Sequence, residues 1–347
     1  MLHSLKQNDP PSSNLTQSIR TTLLYLTRLL ILGVGLGTLT GTALSLVNFE
    51  ERNLSIINSL ESTAIKDDST PSLVDDLGEE LLSLNQKIRD LTAKYPQLDA
   101  RAFFIDLDNY AYVNFQGDTP ISAASTIKIP ILVAFFQDVD AGKIYLDELL
   151  TMEEKHRAGG SGEMQYLGSG REFTALKIAL NMIVTSDNTA TNMLIERLGG
   201  AEALNQRFQA WGLKSTVIRD ILPDLEGKNT TSPQDLVFLL GEVNAGKLIS
   251  LRSRDRLLDI MTATKNNSLI PQGLEGDATV AHKTGDIGSV LADGGIIDIP
   301  SGKRYLAAIM VKRPHNDPQA RTLIQEISRT AYQHFKWYTS RPLPPTQ

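Results

Sequence analysis

Cysteine is absent from all 347 residues, which excludes disulfides and thiolate metal sites and leaves the redox state of the compartment unread. Histidine is scarce. His3, His156, His282, His315 and His334 show no H-x-x-x-H or comparable ligand spacing, so neither a metal nor another cofactor is expected. Positive charge is not in excess: a net charge of −6 offers no basic stripe to neutralise phosphates, and nucleic acid is excluded as an expected partner. No internal repeat is visible. What remains, 41% hydrophobic and 21% charged residues, is the composition of an ordinary globular protein long enough to bury a sizeable core.

The first 50 residues are of another kind. Residues 29–47, "LLILGVGLGTLTGTALSLV", form 19 positions without a charge, preceded by Lys6, Arg20 and Arg28 and followed by Glu50 and Glu51. That length nearly matches the hydrocarbon core of a membrane, and positive flanks stay on the cytoplasmic side. The expectation is a cytoplasmic segment at 1–28, a transmembrane anchor at 29–47 and a body exported to the periplasmic side. A cleaved signal sequence is the competing reading, although its apolar region is typically only about 7 to 15 residues. A polar linker at 48–74, with Asp67, Asp68, Ser69, Thr70 and Pro71, precedes a catalytic domain at 75–340 and a tail at 341–347. A monomer is expected.

From Leu77 the patterning is regular. "LGEELLSLNQKIRDL" places apolar residues at helical spacing before Pro96, and "RAFFIDLDNYAYVNFQ" reads as two strands about an Asp-Asn turn. A mostly helical middle runs from Ser125 to about Leu251. "TVAHKTGDIG", "VLADGGIIDIP" and "RYLAAIMVKR" then read as three antiparallel strands, and "DPQARTLIQEISRTAYQHFKWY" as a closing helix. Strands at both ends around a helical stretch imply an α/β (α+β) fold: an antiparallel sheet built from both ends of the domain, flanked by helices, with a helical subdomain inserted.

Three short motifs carry chemistry. "AASTIKIPILVAFF" sets Ser125 and Lys128 one helical turn apart at the mouth of an apolar run. Burial lowers a lysine's preference for charge, and a neutral amine can take a proton from a serine hydroxyl. "TSDNTATN" holds Ser186, Asp187 and Asn188 in a break between two helical runs, and "HKTGDIG" holds Lys283, Thr284 and Gly285 in a strand. Each has a plain reading when taken alone: Ser125 as a cap, Ser186 and Asn188 as turn-formers, Lys283 as an edge charge. S-x-x-K, S-D-N and K-T-G in order are far more specific than any one of them. His282 reads as a packing residue rather than a base.

With these motifs, separated by 61 and 97 residues, the chain resembles the serine β-lactamase and penicillin-binding superfamily and within it the class A group. The likeness runs from about Asp75 to Tyr338, and "GGSGEMQYLGSG" and "NTTSPQDL" look like further landmarks. It implies Ser125 as nucleophile, Lys128 as its proton acceptor or relay, and Ser186 passing a proton to the leaving nitrogen. It further implies Lys283 and Thr284 for a substrate carboxylate, Asn188 for the acylamino group, and an oxyanion hole from the N–H groups of Ser125 and of Asp286 after Gly285. Asp187 reads as a structural brace.

One landmark is missing. In class A enzymes a loop glutamate activates the deacylating water, but here the loop "KSTVIRDILPDLEGKNTTSP" is shorter and carries no E-x-x-L-N segment. Its carboxylates are Asp220, Asp224 and Glu226, of which Glu226 is the candidate base. The expected activity is hydrolysis of a β-lactam amide through an acyl-enzyme, with slow deacylation. The alternatives are a membrane-anchored D,D-peptidase acting on peptidoglycan stem peptides and a non-hydrolysing β-lactam-binding module.

Overall fold

The structure, a computed structural model, describes residues 77–337; the expected anchor, the linker up to residue 74 and the tail from 341 lie outside the described residues. Helix α1 (Leu82–Thr92) buries Leu84 and Ile88. Strands β1 (Asp99–Asp106) and β2 (Tyr112–Phe115) form the expected hairpin, in which Phe104 faces Val113. After β3 (Ile121–Ser122) a 3-10 turn, Ala124–Ile127, runs straight into α2 (Lys128–Asp140). The middle of the chain then gives β4 (Leu149–Thr151), β5 (Glu172–Thr174), α3 (Ala175–Val184), α4 (Asn188–Arg197) and α5 (Gly200–Ala210). Next come β6 (Thr230–Thr231), α6 (Pro233–Asn244) and α7 (Leu251–Thr262). Strands β7 (Thr279–Ile287), β8 (Val290–Asp298) and β9 (Arg304–Lys312) precede α8 (Gln319–Trp337).

The five-stranded sheet has the order β2-β1-β9-β8-β7, every pairing antiparallel. Chain ends therefore meet at its centre, as β1 pairs with β9, and β7 is left as an edge. Side-chain alternation along β1 sends Phe103 and Ile105 to one apolar cluster and Ala102 and Phe104 to the other. The second cluster is closed by α1 and α8 through Leu84, Ile88, Leu323 and Ile327. On the first face lies the helical part, centred on α2, whose residues 128–136 are all buried. A helix apolar on every side belongs at the middle of a domain, and each of Phe135 and Phe136, fully buried, contributes about 1.5 to 3 kcal/mol.

One expectation needed revision. The first helix begins at Leu82, not Leu77, because the backbone of residues 78–81 hydrogen-bonds along the hairpin: Gly78 N donates to Tyr110 O at 2.9 Å and Leu81 N to Tyr112 O at 2.7 Å. The middle is mostly helical, as expected, with short strands between its helices. Two-stranded ladders β3–β6 and β4–β5 tie its loops together, and each strand has only two or three residues, too few to show a period.

Candidate active site

Ser125 sits in the 3-10 turn and Lys128 opens α2, so their side chains emerge side by side where the sheet edge meets the helices. Lys128 Nζ lies 3.2 Å from Ser125 Oγ. It also reaches Ser186 Oγ at 3.1 Å, Ser186 O at 2.6 Å and Asn188 Oδ1 at 2.8 Å. The first two motifs therefore converge on one nitrogen. Lys128 is 0% exposed, and burial, reinforced by the charge of Lys283 and opposed by Asp187, holds it well below the ordinary lysine range. A neutral amine so placed can accept the Ser125 proton and hand it toward Ser186. Ala124 (φ 45°) and Ser186 (φ 57°) are both in the left-handed region, where a non-glycine residue costs on the order of 1 to 3 kcal/mol; the strain falls at the two serines that Lys128 bridges.

Asp187 caps α4, accepting from Ala190 N at 2.9 Å, and its other oxygen accepts from Met164 N at 2.9 Å. That second bond explains part of the glycine-rich stretch. Gly162 has φ +88°, and a Cβ there would stand 2.1 Å from an Asp187 oxygen, so only glycine lets this loop close over the aspartate. Asn188 donates to Gly159 O at 2.8 Å and, through its backbone, to Ser161 O at 3.2 Å.

Strand β7 brings the third motif. A Cβ on Gly285 would lie 3.0 Å from Ser125 N, so the missing side chain lets the edge strand approach the Ser125 backbone. Lys283 is 1% exposed, donates to Thr284 O at 2.7 Å and is pulled down by burial to about 8, with Asp293 acting against the fall. Asp286 pairs with Arg313, and partial burial raises its carboxyl in spite of that partner. A cleft of about 370 Å³ runs past Ser125, Ser186, Lys283, Thr284 and Asp286.

The 214–233 loop behaves otherwise. Glu226 is not brought to Ser125: its side chain is 76% exposed and pairs with Lys228 at 2.9 Å. Asp224 borders a smaller hollow beside Ser125 and Asn188, but its oxygens accept from Lys228 N at 2.9 Å and Asn229 N at 2.6 Å. Leu222 lines that hollow. Its backbone is clamped by Asn192, which donates to Leu222 O at 2.8 Å and accepts from Leu222 N at 2.9 Å.

Sequence reasoning passed over Leu222, and also Lys265 and Asn266, which line the cleft opposite Ser186 and Lys283. "ATKNNS" is an unremarked polar run after a helix. Nothing local marks it as cleft wall.

Residues 83–335 match the model of the Beta-lactamase enzyme family. The chain is 52% identical to the solved structure of PBP-A, aligning over 75% of this chain and 98% of that one with a TM-score of 0.74. A mutant of PBP-A, equally similar, was solved as an acyl-enzyme complex with penicillin G. An ancestral class A beta-lactamase is 25% identical over 73% of this chain and 100% of its own, with a TM-score of 0.68. The extended-spectrum beta-lactamase PER-1 of Pseudomonas aeruginosa is 26% identical over 60% of this chain and 73% of its own length.

Proposed function

The chain belongs to the beta-lactamase enzyme family, and from that premise we propose that it is a serine hydrolase that opens a β-lactam amide through an acyl-enzyme on Ser125. The observation that carries the reading is the position of Lys128 Nζ within hydrogen-bond reach of Ser125, Ser186 and Asn188 together. Ser125 Oγ bonds to the carbonyl carbon and the ring C–N bond breaks. The serine proton passes to Lys128 and through Ser186 to the departing nitrogen. Backbone N–H groups of Ser125 and Asp286 receive the developing oxyanion, and Lys283 with Thr284 holds the substrate carboxylate. Water then attacks the ester and frees the ring-opened acid. Incubation with a fluorescent penicillin labels one serine, and Ser125→Ala removes the label. Labelling that survives the substitution overturns the assignment.

The second step is slow in this reading. Leu222 stands beside Ser125, and the loop's carboxylates are bonded elsewhere or exposed, so no free base of the loop adjoins the ester. The same feature favours a second reading, a D,D-peptidase on peptidoglycan stem peptides, since it uses the same acylation residues. Release of D-alanine from a synthetic stem peptide at a rate exceeding β-lactam turnover decides for it.

The anchoring reading rests on the uncharged stretch 29–47 and its flanking charges: the domain is held on the extracytoplasmic side. Protease added to spheroplasts digests it, and carbonate washing leaves it in the membrane. A soluble mature chain starting near Ser45 or Asn48 favours a cleaved signal instead.

A further inference from the structure

A buried ionisable pair that the acylation residues do not use joins strands β7 and β8. His282 Nδ1 donates to Asp293 at 2.8 Å, and both side chains are essentially inaccessible, 1% and 0% exposed. Asp293 Oδ2 accepts a further bond from Ile270 N at 3.0 Å, and His282 Nε2 meets the Asn267 amide at 3.0 Å. Thr264 Oγ1 donates to His282 O at 2.7 Å.

The strand register makes room for this pair. Asp293 stands opposite Thr284 and Gly295 opposite His282. A Cβ on Gly295 would fall 2.7 Å from His282 Cβ and 2.3 Å from Ala281 O, so the imidazole crosses diagonally to the aspartate only because its direct partner is glycine.

Apolar residues of similar size often fill such a volume as well as or better than a buried ion pair, so stability alone does not account for an ionisable pair here. Its retention here calls for another role, and Lys283 supplies one. Among the described residues, the only hydrogen bond of Lys283 Nζ is to Thr284 O, and no carboxylate forms an ion pair with it. An ammonium at 1% exposure loses its hydration, and Lys128 lies near enough for the two charges to act on each other. Glu163, Lys265 and Asp286 border the cleft that Lys283 faces, Asp187 acts on Lys128, and Arg313 holds Asp286. Asp293 stands on the neighbouring strand opposite Thr284, the residue after Lys283, and its charge opposes the desolvation of Lys283; across a low-dielectric interior such a charge acts without contact.

Resting on the β-lactam reading above, we propose that His282 and Asp293 are positioning residues for the substrate-carboxylate subsite. Asp293 is the counter-charge that keeps Lys283 an ammonium. His282 fixes that carboxylate and, through Asn267 and Thr264, seats the segment whose Lys265 and Asn266 wall the cleft.

The test compares benzylpenicillin with its methyl ester, which has no carboxylate for Lys283 to bind. In Asp293→Asn the alkaline limb of acylation by benzylpenicillin moves to lower pH by about one unit, while the ester's profile keeps the parent's shape. Damage to the fold slows both probes alike, and that outcome, or an unmoved limb, overturns the proposal. His282→Gln keeps a donor for Asp293 and retains the parent limb. A limb displaced by about a unit in this variant overturns the role given to His282 as the hydrogen-bonded holder of Asp293. NMR titration of the Lys283 ammonium needs no substrate: its midpoint falls by about one unit in Asp293→Asn, and an unmoved midpoint overturns the pair's role. If neither probe acylates the parent, the β-lactam reading fails by itself and the titration still decides this one.

Discussion

Lys128 and Lys283 lie near enough for their charges to act on each other, and the proposed reading needs them in opposite protonation states. Lys128 must be free of its extra proton to accept one from Ser125, and its fully buried position lowers it well below the usual range. Lys283 must keep its proton to hold a carboxylate, and stands at about 8. Acylation by a carboxylate-bearing β-lactam therefore rises as Lys128 deprotonates and declines as pH passes through about 8; stopped-flow rates between pH 6 and 10 measure the limb. A flat profile to pH 10 shows that the cation is not required. Lys128→Arg separates charge from proton transfer, because a guanidinium stays charged at any usable pH. It loses acylation by on the order of 100 to 10,000-fold, the usual span of general-base catalysis, as Lys128→Ala does. Intact-mass spectra after a timed penicillin pulse give the comparison, and an arginine variant acylated at the parent rate reassigns the base. Both lysines were legible in the sequence, since S-x-x-K and K-T-G name them. Their burial was not, nor was the role of His282 in a bonded pair, because its partner Asp293 lies on the next strand.

At the scale of elements, the edge strand and the short loop set the site. Gly285 belongs to a strand that reads clearly in the sequence, yet the reason for the glycine is the Ser125 backbone 3.0 Å from where its Cβ would be. Gly285→Ala should slow acylation by roughly tenfold to a hundredfold, because displacements of about an ångström carry such costs, while the melting temperature changes little. Unchanged acylation means that the strand has slack. The 214–233 loop holds Leu222 against the hollow beside Ser125. Leu222→Glu puts a carboxylate at that wall, and deacylation then accelerates, toward 100-fold if the base is well aimed. Glu226→Gln, altering an exposed ion pair, leaves turnover within about twofold, in keeping with the small worth of surface pairs. Decay of the acyl-enzyme after removal of excess penicillin reports both. The sequence marked this loop as lacking the E-x-x-L-N segment but not which residue takes the wall, because an irregular loop has no period and its course follows from tertiary clamps such as Asn192 to Leu222.

The molecule as a whole carries the cost of two buried amines. Lys283 has an unfolded value near 10.5 and stands at about 8 when folded, and Lys128 is lowered as well. Between about pH 8 and 10.5 the unfolded chain therefore binds a proton that folded Lys283 does not, and stability rises with pH through that window. Each pH unit fully crossed by one group is worth about 1.4 kcal/mol. Buried Tyr305 is raised above its ordinary 10.0, which works against stability above that pH. Urea midpoints at pH 7.5 and 9.5 should show the rise, and Lys283→Met should be more stable at pH 7.5 and show less of it; equal slopes in both proteins sink the account. The sequence by itself determined the five strands of the main sheet, the closing helix and the three motifs, because these depend on side-chain period and on residue types at fixed spacing along the chain. Only the tertiary structure decided that Lys128 touches both serines, that Leu222 rather than Glu226 lines the hollow beside Ser125, and that Asp293 stands on the strand next to Lys283. Each of these is a distance between segments far apart in the chain, and burial and charge at such meetings are properties of the packed fold.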